Sequence, residues 1–138
     1  MPDLRPARED DITRLMEIRA AVRENRLQRL VIGPDDYGPY LRDDRCWVWE
    51  KAGRIHGFAA LDVGTASVWA LFVDPAAQGR GIGRTLLDRM IAEARARGLA
   101  ALTLETEAGT RAEAFYLRAG WQPVDGDGAG TRRFALNL

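Results

Sequence analysis

The chain has 138 residues, of which 46% are hydrophobic, 29% charged and 8% aromatic. This length supports one hydrophobic core and is too short for two domains, and the composition argues against intrinsic disorder. Twenty basic and twenty acidic side chains cancel, so no global field would collect nucleic acid or an anionic membrane surface. We therefore predict a single domain over residues 1–138 that binds neither nucleic acid nor membranes.

The sequence predicts no membrane span, secretory signal or metal site. The run Val68–Val73 is far shorter than the roughly 18 apolar residues of a span, and the N-terminus lacks the apolar core of a signal. Cys46, the single cysteine, excludes an internal disulfide and, with one histidine, a tetrahedral zinc site. Asp125–Gly128 resembles the start of a calcium loop, but its twelfth position falls on Leu136. We expect a cytoplasmic protein without a metal.

The N-terminal third predicts an edge strand followed by helical segments. Asp3–Ala7 has the pattern of a short strand. The acidic residues 9–11 supply capping chemistry for a helix that extends to about Asn25 along an apolar stripe. A looser, helical segment is predicted over Pro34–Arg42, and the stretch around it is the least periodic part of the chain.

A β-hairpin is predicted next. Cys46–Glu50 and Ile55–Val63 are strand-like runs on either side of an Ala-Gly turn at 52–53. A two-residue turn would place Trp49 opposite His56, and it would place Cys46 opposite Ala59.

The second half predicts a strand, a helix and a strand, followed by a short helix and a strand pair. Ser67–Val73 is apolar on both faces, as in a central strand. Gly81–Arg97 has a helical apolar period, and Ala101–Thr106 is strand-like, so the three form a parallel βαβ unit. Arg111–Ala119 is a last helix, and the final strand pair begins at 120–121. The predicted fold class is α/β (α+β), with a mixed, mostly antiparallel sheet.

The segment Gln78–Arg84, Gln-Gly-Arg-Gly-Ile-Gly-Arg, lies between a predicted strand and a helix. Its alternate glycines let a ligand approach the main chain, and the N–H groups of a helix N-terminus suit a phosphate or pyrophosphate. Arg80 and Arg84 can add charge-assisted hydrogen bonds. A dinucleotide fingerprint requires glycine at position 84 and a P-loop requires Gly-Lys-Ser/Thr, so neither motif is present. A tight turn that merely uses glycine is the alternative.

The remaining pattern, Gln-x-x-Gly-x-Gly after a Val-Asp-Pro strand end, resembles the acetyl-CoA signature of the Gcn5-related N-acetyltransferase (GNAT) superfamily. Gly53–Phe58 resembles the second hairpin of that family, and Trp69–Pro75 resembles its fourth strand. Ala112–Trp121 resembles its last conserved helix. From Trp47 to the C-terminus these segments match the family in order and spacing.

The resemblance implies a fourth strand that carries a bulge and splays from the fifth, with the pantetheine arm of acetyl-CoA in the gap. Main-chain groups of the fourth strand would bind that arm beside the acetyl group, and loop amides would hold the pyrophosphate. The implied cofactor-binding residues are Leu71, Phe72, Val73, Gln78, Gly79, Arg80, Gly81, Ile82, Gly83, Arg84 and Phe115. The family often has asparagine where this chain has Gly109, so one side-chain contact to the cofactor would be missing.

Tyr116 matches the tyrosine that protonates the departing CoA thiolate in many family members. A phenol with a pKa near ~10 is protonated at neutral pH and can donate that proton; ordinary core packing is the alternative. Glu105 is the predicted general base, because it is the carboxylate nearest the expected cleft, and Glu107 and Glu50 are weaker candidates. A solvated charge at a strand end is the alternative for each.

These features predict an acetyl-CoA-dependent N-acetyltransferase acting on a primary amine of a small molecule or peptide. The hairpin register places Cys46 too far from His56 for an activated pair, which favours direct attack in a ternary complex. A non-catalytic acyl-CoA-binding module is the alternative, and the failed motif spacings disfavour a nucleotide-binding domain without CoA.

The acceptor side has the weakest patterns. Selectivity is expected in Arg23–Asp44 and in the last hairpin, and substitutions of Tyr37 or Tyr40 are predicted to change the acceptor KM more than the acetyl-CoA KM. The C-terminal strand, with Phe134–Leu136 apolar on one side, is compatible with a homodimer formed through an edge strand.

Overall fold

The computed structural model describes residues 2–22, 32–124 and 130–138. Its strands are β1 (Asp3–Pro6), β2 (Cys46–Lys51), β3 (Arg54–Asp62), β4 (Ser67–Val73), β5 (Ala101–Glu107), β6 (Gln122–Val124) and β7 (Thr131–Asn137). Its α-helices are α1 (Ile12–Ala21), α2 (Gly38–Arg42), α3 (Ile82–Ala96) and α4 (Arg111–Arg118), and short 3₁₀ turns lie at Glu9–Asp11, Pro34–Tyr37 and Pro75–Ala77. None of the helices in these ranges is long and apolar enough to cross a bilayer.

The seven strands form one sheet in the order β1-β2-β3-β4-β5-β7-β6. Every neighbouring pair is antiparallel except β4 and β5, which are parallel and share one bridge, Ser67 to Thr103. Beyond that bridge the two strands separate. The predicted mixed sheet, with a βαβ unit of β4, α3 and β5 and a splay between its strands, is confirmed.

Helices cover the two faces of the sheet. On one face, buried residues of α3 and Tyr116 of α4 pack on alternate residues of the strands, such as Trp47, Leu102 and Phe134. On the other face, α1, the turn before α2 and α2 pack on the intervening residues, such as Val48. Buried Leu and Phe side chains each contribute about 1.5–3 kcal/mol. Because successive residues of β2 face opposite sides of the sheet, the helices on both faces pack against this one strand.

A β-bulge interrupts the alternation of β4 at Trp69. Ala60 of β3 pairs with Ala70 and Leu61 pairs with Val68, so Trp69 is one extra residue on β4. Trp69 and Ala70 consequently both pack toward α1, while Val68 packs toward α3. The bulge that the family resemblance implies for this strand is confirmed, and bulges of this kind bend a strand and increase its twist.

An ion pair fixes α1 to the end of β4. Arg14 donates from Nη2 to Asp74 Oδ2 (2.7 Å) and from Nε to the carbonyl of Ile55 (3.0 Å). The amide of Ala76 also donates to Asp74 (3.0 Å), and this bond together with the Arg14 guanidinium lowers the pKa of the Asp74 carboxyl. The end of β4 is thereby held between α1 and the turn that leads to the glycine-rich loop.

Gly57 of β3 lets α3 pack closely on the sheet. A Cβ at this position would lie 3.1 Å from Ile82 Cγ2, from Leu86 Cδ1 and from the carbonyl oxygen of Phe72. Because the first turn of α3 also borders the glycine-rich loop, this contact sets where that turn lies.

We expect Gly57→Ala to destabilise the fold by about 1–3 kcal/mol, the usual cost of overpacking a core. Thermal and denaturant unfolding would measure the loss. The matched control is Gly64→Ala in the β3–β4 turn, where a Cβ would meet its nearest atom, Asp62 Oδ1, at an ordinary 3.5 Å. Equal stability of the two variants would contradict the close packing at Gly57.

Three sequence expectations need correction or restriction. The β2–β3 register is shifted by one residue, so that Trp49 faces Gly57 and Cys46 faces Ala60, because a bulge at His56 adds a residue to β3. α1 ends at Ala21; the rest of its predicted span, from 23 to 25, and the loop at 125–128 lie outside the described residues.

The positions of β7 and of two tyrosines also differ from expectation. β7 is an inner strand between β5 and β6, so the short β6 forms that edge and the C-terminal strand offers no free edge along the part that β6 pairs with. Tyr37 and Tyr40 are buried, 0% and 8% exposed, and both pack against Trp69. They belong to the core beneath α1 and not to an exposed loop, and their predicted effect on the acceptor KM stays a prediction.

Candidate functional site

A cavity of about 660 Å³ opens between the end of β4, the first turn of α3 and α4. It lies where β4 and β5 have separated, so its floor is the edge of β4 that no strand within residues 2–22, 32–124 and 130–138 covers. Its wall is largely apolar, with the glycines and Arg84 at the start of α3 and two further arginines on α4. The lining residues are Val22, Leu71, Phe72, Val73, Ala77, Gln78, Gly79, Gly81, Ile82, Gly83, Arg84, Arg111, Ala112, Ala114, Phe115, Tyr116, Arg118 and Ala119.

The main chain of β4 borders the cavity at 71–73. Alternate residues of a strand direct their N–H and C=O groups toward each neighbour, and beyond Ser67 the neighbour on the β5 side is missing. The Gln78 side chain donates from Nε2 to the carbonyl of Val73 (3.4 Å). An extended polar chain could therefore pair with β4 here as an additional strand would.

The glycine-rich loop places the start of α3 at the cavity. Gly79 and Gly81 have φ of +83° and +80°, the left-handed region that glycine adopts without strain, and Gly81 is the N-cap of α3. The first bond of the helix runs from the Thr85 amide to the Gly81 carbonyl (3.1 Å). The amides of 82–84 thus have no acceptor within the helix. Unpaired amides at the positive end of a helix dipole favour the binding of an anion.

Gly83 marks the narrow part of the cavity. A Cβ built on it would lie 3.5 Å from Val73 Cγ2 and 3.5 Å from Phe115 Cε1. Both are ordinary van der Waals distances, so a single Cβ fits between α3, β4 and α4 here, and a larger side chain would extend into the space between them.

Tyr116 reaches the cavity from the core. It is 6% exposed and packs edge-on against Phe115 (5.1 Å between ring centroids) and Trp121 (5.3 Å). Burial raises the pKa of its hydroxyl above the ordinary value, so the group stays protonated at neutral pH. The structure records no hydrogen bond from this hydroxyl to another residue in the described ranges, so it is free to donate to a ligand in the cavity it lines.

The predicted bases lie elsewhere. Glu105 is about half exposed and forms an ion pair with Arg133 (2.6 Å), and Glu50 pairs with Arg5 (3.2 Å). Neither residue lines the cavity, and within the described ranges no carboxylate or histidine does. The base role of Glu105 stays a prediction.

Cys46 has the environment of a core residue. It is 1% exposed, and burial raises the pKa of its thiol to about 12. A thiol of this kind is almost entirely unionised at neutral pH and is a poor nucleophile. This environment argues against Cys46 as an acetyl carrier, for a stronger reason than the register that the sequence suggested. In the part of the chain that the structure describes, no group of three or more His, Cys, Asp or Glu side chains could hold a metal ion.

Most of the catalytic and cofactor-binding residues that the sequence predicts line this one cavity. Eleven line the cavity, and Arg80 and Glu105 do not. Sequence reasoning missed Arg111 and Arg118, although they follow each other at i and i+7 on one stripe of α4, a spacing that the sequence shows. It also missed Val22, which follows α1 and lines the cavity.

Comparison with known proteins agrees with this geometry. The acetyltransferase (GNAT) family model matches residues 13–121, most of the chain, so the chain belongs to the acetyltransferase (GNAT) family. The crystal structure of the PaiA N-acetyltransferase from Thermoplasma acidophilum in complex with coenzyme A has the same fold, with a TM-score of 0.83 and 14% identity over 100% of this chain and 99% of that one.

Two curated relatives are similar over part of the chain. A mycothiol acetyltransferase from Beutenbergia cavernae is 45% identical over 64 residues, and an IAA acetyltransferase from Azospirillum brasilense is 44% identical over 68 residues. Each match covers 46% of this chain. The chain spans only 22% of the first relative and 44% of the second.

Proposed function

We propose that this chain is an acetyl-CoA-dependent N-acetyltransferase that transfers an acetyl group to a primary amine of a small molecule or peptide. The observation that carries the proposal is the convergence of three features on one cavity. These are the unpaired edge of β4, the free amides at the start of α3 and the side chain of Tyr116. Family membership and the coenzyme A complex of a protein with the same fold support it.

In the proposed complex, different parts of the cavity bind different parts of acetyl-CoA. The amides of the glycine-rich loop and the first turn of α3 take the pyrophosphate, and main-chain groups of Leu71 and Val73 hold the pantetheine arm. Phe72 lies beside the acetyl group. Acetyl-CoA supplies an activated thioester, and the chain's part is to bind it, orient it and exclude water.

The transfer proposed is direct. The amine nitrogen forms a bond to the thioester carbonyl carbon, the C–S bond breaks, and the Tyr116 hydroxyl donates its proton to the departing sulfur. The proton lost by the amine passes to water, and Glu105, which does not line the cavity, could receive it only through water. A buried, protonated phenol suits the donor role, because a thiolate leaves poorly without a proton.

A specific observation favours the second candidate, a non-catalytic acyl-CoA-binding module. No carboxylate or histidine among the described residues lines the cavity, so nothing there is placed to deprotonate an alkyl ammonium group. Such a module would bind acyl-CoA and release no thiol.

A thiol-release assay with acetyl-CoA and a panel of amines separates the two candidates. The enzyme is expected to release CoA thiol faster with an acceptor than without one, and mass spectrometry should find the acetylated amine. CoA binding by calorimetry with no amine-dependent release would favour the module. Tight binding of ATP or NAD and none of CoA would contradict both.

A further inference from the structure

Arg14 of α1 bonds to the sheet beside the cavity, although it does not itself line the cavity. Its Nη2 donates to Asp74 Oδ2 (2.7 Å), and its Nε donates to the carbonyl of Ile55 (3.0 Å). The side chains of Arg14 and Asp74 are only 19% and 18% exposed, so solvent and salt screen this ion pair less than a surface pair. A third bond, from Nη1 to Glu17 (3.3 Å), joins Arg14 to a carboxylate that is 60% exposed.

The attachment of α1 to the sheet does not depend on this arginine. Leu15 and Ile18 of the same helix are fully buried in the core that α1 forms with the sheet. Apolar burial of this kind holds an amphipathic helix in place. The ion pair of Arg14 therefore adds something that this packing does not provide, a fixed position for the end of β4.

Asp74 is the residue through which β4 joins the turn before the glycine-rich loop. Its amide donates to the carbonyl of His56 on β3 (2.8 Å). Its Oδ1 accepts from the amide of Ala76 (3.0 Å), and its carbonyl accepts from the amide of Ala77 (2.8 Å), so Asp74 caps the 3₁₀ turn. Because Oδ1 is bound to this turn and Oδ2 to Arg14, the orientation of the carboxylate is fixed.

The chain on either side of Asp74 borders the cavity. Val73 precedes Asp74, Ala77 and Gln78 follow it, and all three of these residues line the cavity. Gln78 also donates from Nε2 to the carbonyl of Val73 (3.4 Å). A change in the direction of the chain at Asp74 would therefore move the start of the glycine-rich loop relative to the main chain of β4.

We propose that Arg14 is a positioning residue of the cofactor site, which acts through Asp74 on the end of β4 and on the glycine-rich loop. The inference rests on the proposed function, which places the pantetheine arm on Val73 and the pyrophosphate on the loop amides. A ligand that is bound at both places requires a fixed distance between them. Binding groups are held within about 0.5 Å of their productive positions by hydrogen bonds from the residues behind them, and Arg14 supplies such bonds here.

Calorimetry with CoA tests this role on wild type, Arg14→Gln and Asp74→Asn, well below the melting temperature of each protein. Each single variant should bind CoA roughly 10-fold more weakly, a size typical of coupling within one hydrogen-bond network. The double variant should bind no more weakly than the weaker single variant, because both substitutions break the same link. Arg14→Lys should keep most of the affinity, since an ammonium group can still pair with Asp74.

The matched control is Glu17→Gln, which removes only the exposed ion pair of Arg14 and leaves its bonds to the sheet. It should bind CoA as wild type does, and circular dichroism would verify the fold of each variant. Should Arg14→Gln fail to fold, the comparison of Asp74→Asn with Glu17→Gln decides the same question.

Two results would overturn the role of Arg14 and leave the proposed function standing. One is wild-type CoA affinity in a folded Arg14→Gln protein, even with a lower melting temperature, because the ion pair would then serve stability alone. The other is a loss in the double variant equal to the two single losses combined, because Arg14 would then act by a route other than Asp74. Failure of wild type to bind CoA would overturn the proposed function and this inference together.

Discussion

Gly83→Val should weaken CoA binding by roughly 100-fold or more, which corresponds to about 2.7 kcal/mol. The glycine is in the first turn of α3, and a Cβ there would already lie 3.5 Å from both Val73 and Phe115. The additional methyl groups of valine would extend into the narrow part of the cavity, between the loop amides and β4. Calorimetry with CoA measures the loss.

The fold of this variant should persist, because the φ of Gly83 is not in the left-handed region and a Cβ there meets only ordinary contacts. Gly81→Val is a poorer test, since φ is +80° at that position and a branched side chain would strain the N-cap of α3. Gly64→Val, remote from the cavity, makes the same chemical change as a control. A folded Gly83→Val protein with wild-type CoA affinity would remove the cofactor from this cavity.

The sequence predicted the second half of the fold well because its signals are local. Ser67–Val73 is an apolar strand, Ala101–Glu107 begins with alternating apolar and polar residues, and the helix between them has a 3.6-residue apolar period. Once glycine and proline mark the ends of these elements, parallel pairing across a helix is the ordinary outcome. The order and spacing of motifs then sufficed to identify the family.

What the sequence could not predict depends on single extra residues and on distant contacts. The bulge at His56 shifts the β2–β3 register by one residue, and no turn residue in the sequence predicts this bulge. Tyr37 and Tyr40 lie in a segment whose sequence has no clear helix or strand period, yet both side chains are buried, because Trp69 and helix α1 cover them. Glu105 was chosen by its position along a strand, whereas its partner Arg133 lies 28 residues later in the sequence, directly opposite it on the neighbouring strand β7.

The buried phenol of Tyr116 also has a consequence for stability at alkaline pH. Its pKa is raised in the folded protein relative to the unfolded chain, so the folded state holds its proton more strongly. This contribution to stability is fully present below about pH 10, the ordinary pKa of tyrosine, and it declines as the pH rises above that value. Denaturant unfolding of wild type should lose stability in that range more steeply than the Tyr116→Phe protein.

The decisive test of the chemistry is turnover by Tyr116→Phe. Phenylalanine preserves the ring contacts with Phe115 and Trp121 and removes only the proton donor. If Tyr116 is the general acid, kcat should fall about 10²–10⁴-fold, which is about 3–5 kcal/mol of barrier. CoA affinity should stay within a few-fold and the free energy of unfolding within roughly 1 kcal/mol, the usual contribution of one hydroxyl.

If the tyrosine ring serves only to pack the core, turnover of Tyr116→Phe stays near that of wild type. That result, measured at saturating acetyl-CoA under conditions where the chemical step limits the rate, would contradict the role of Tyr116 as the proton donor. The acetyltransferase assignment would survive that result, because water or the proton of the attacking amine can protonate the thiolate instead.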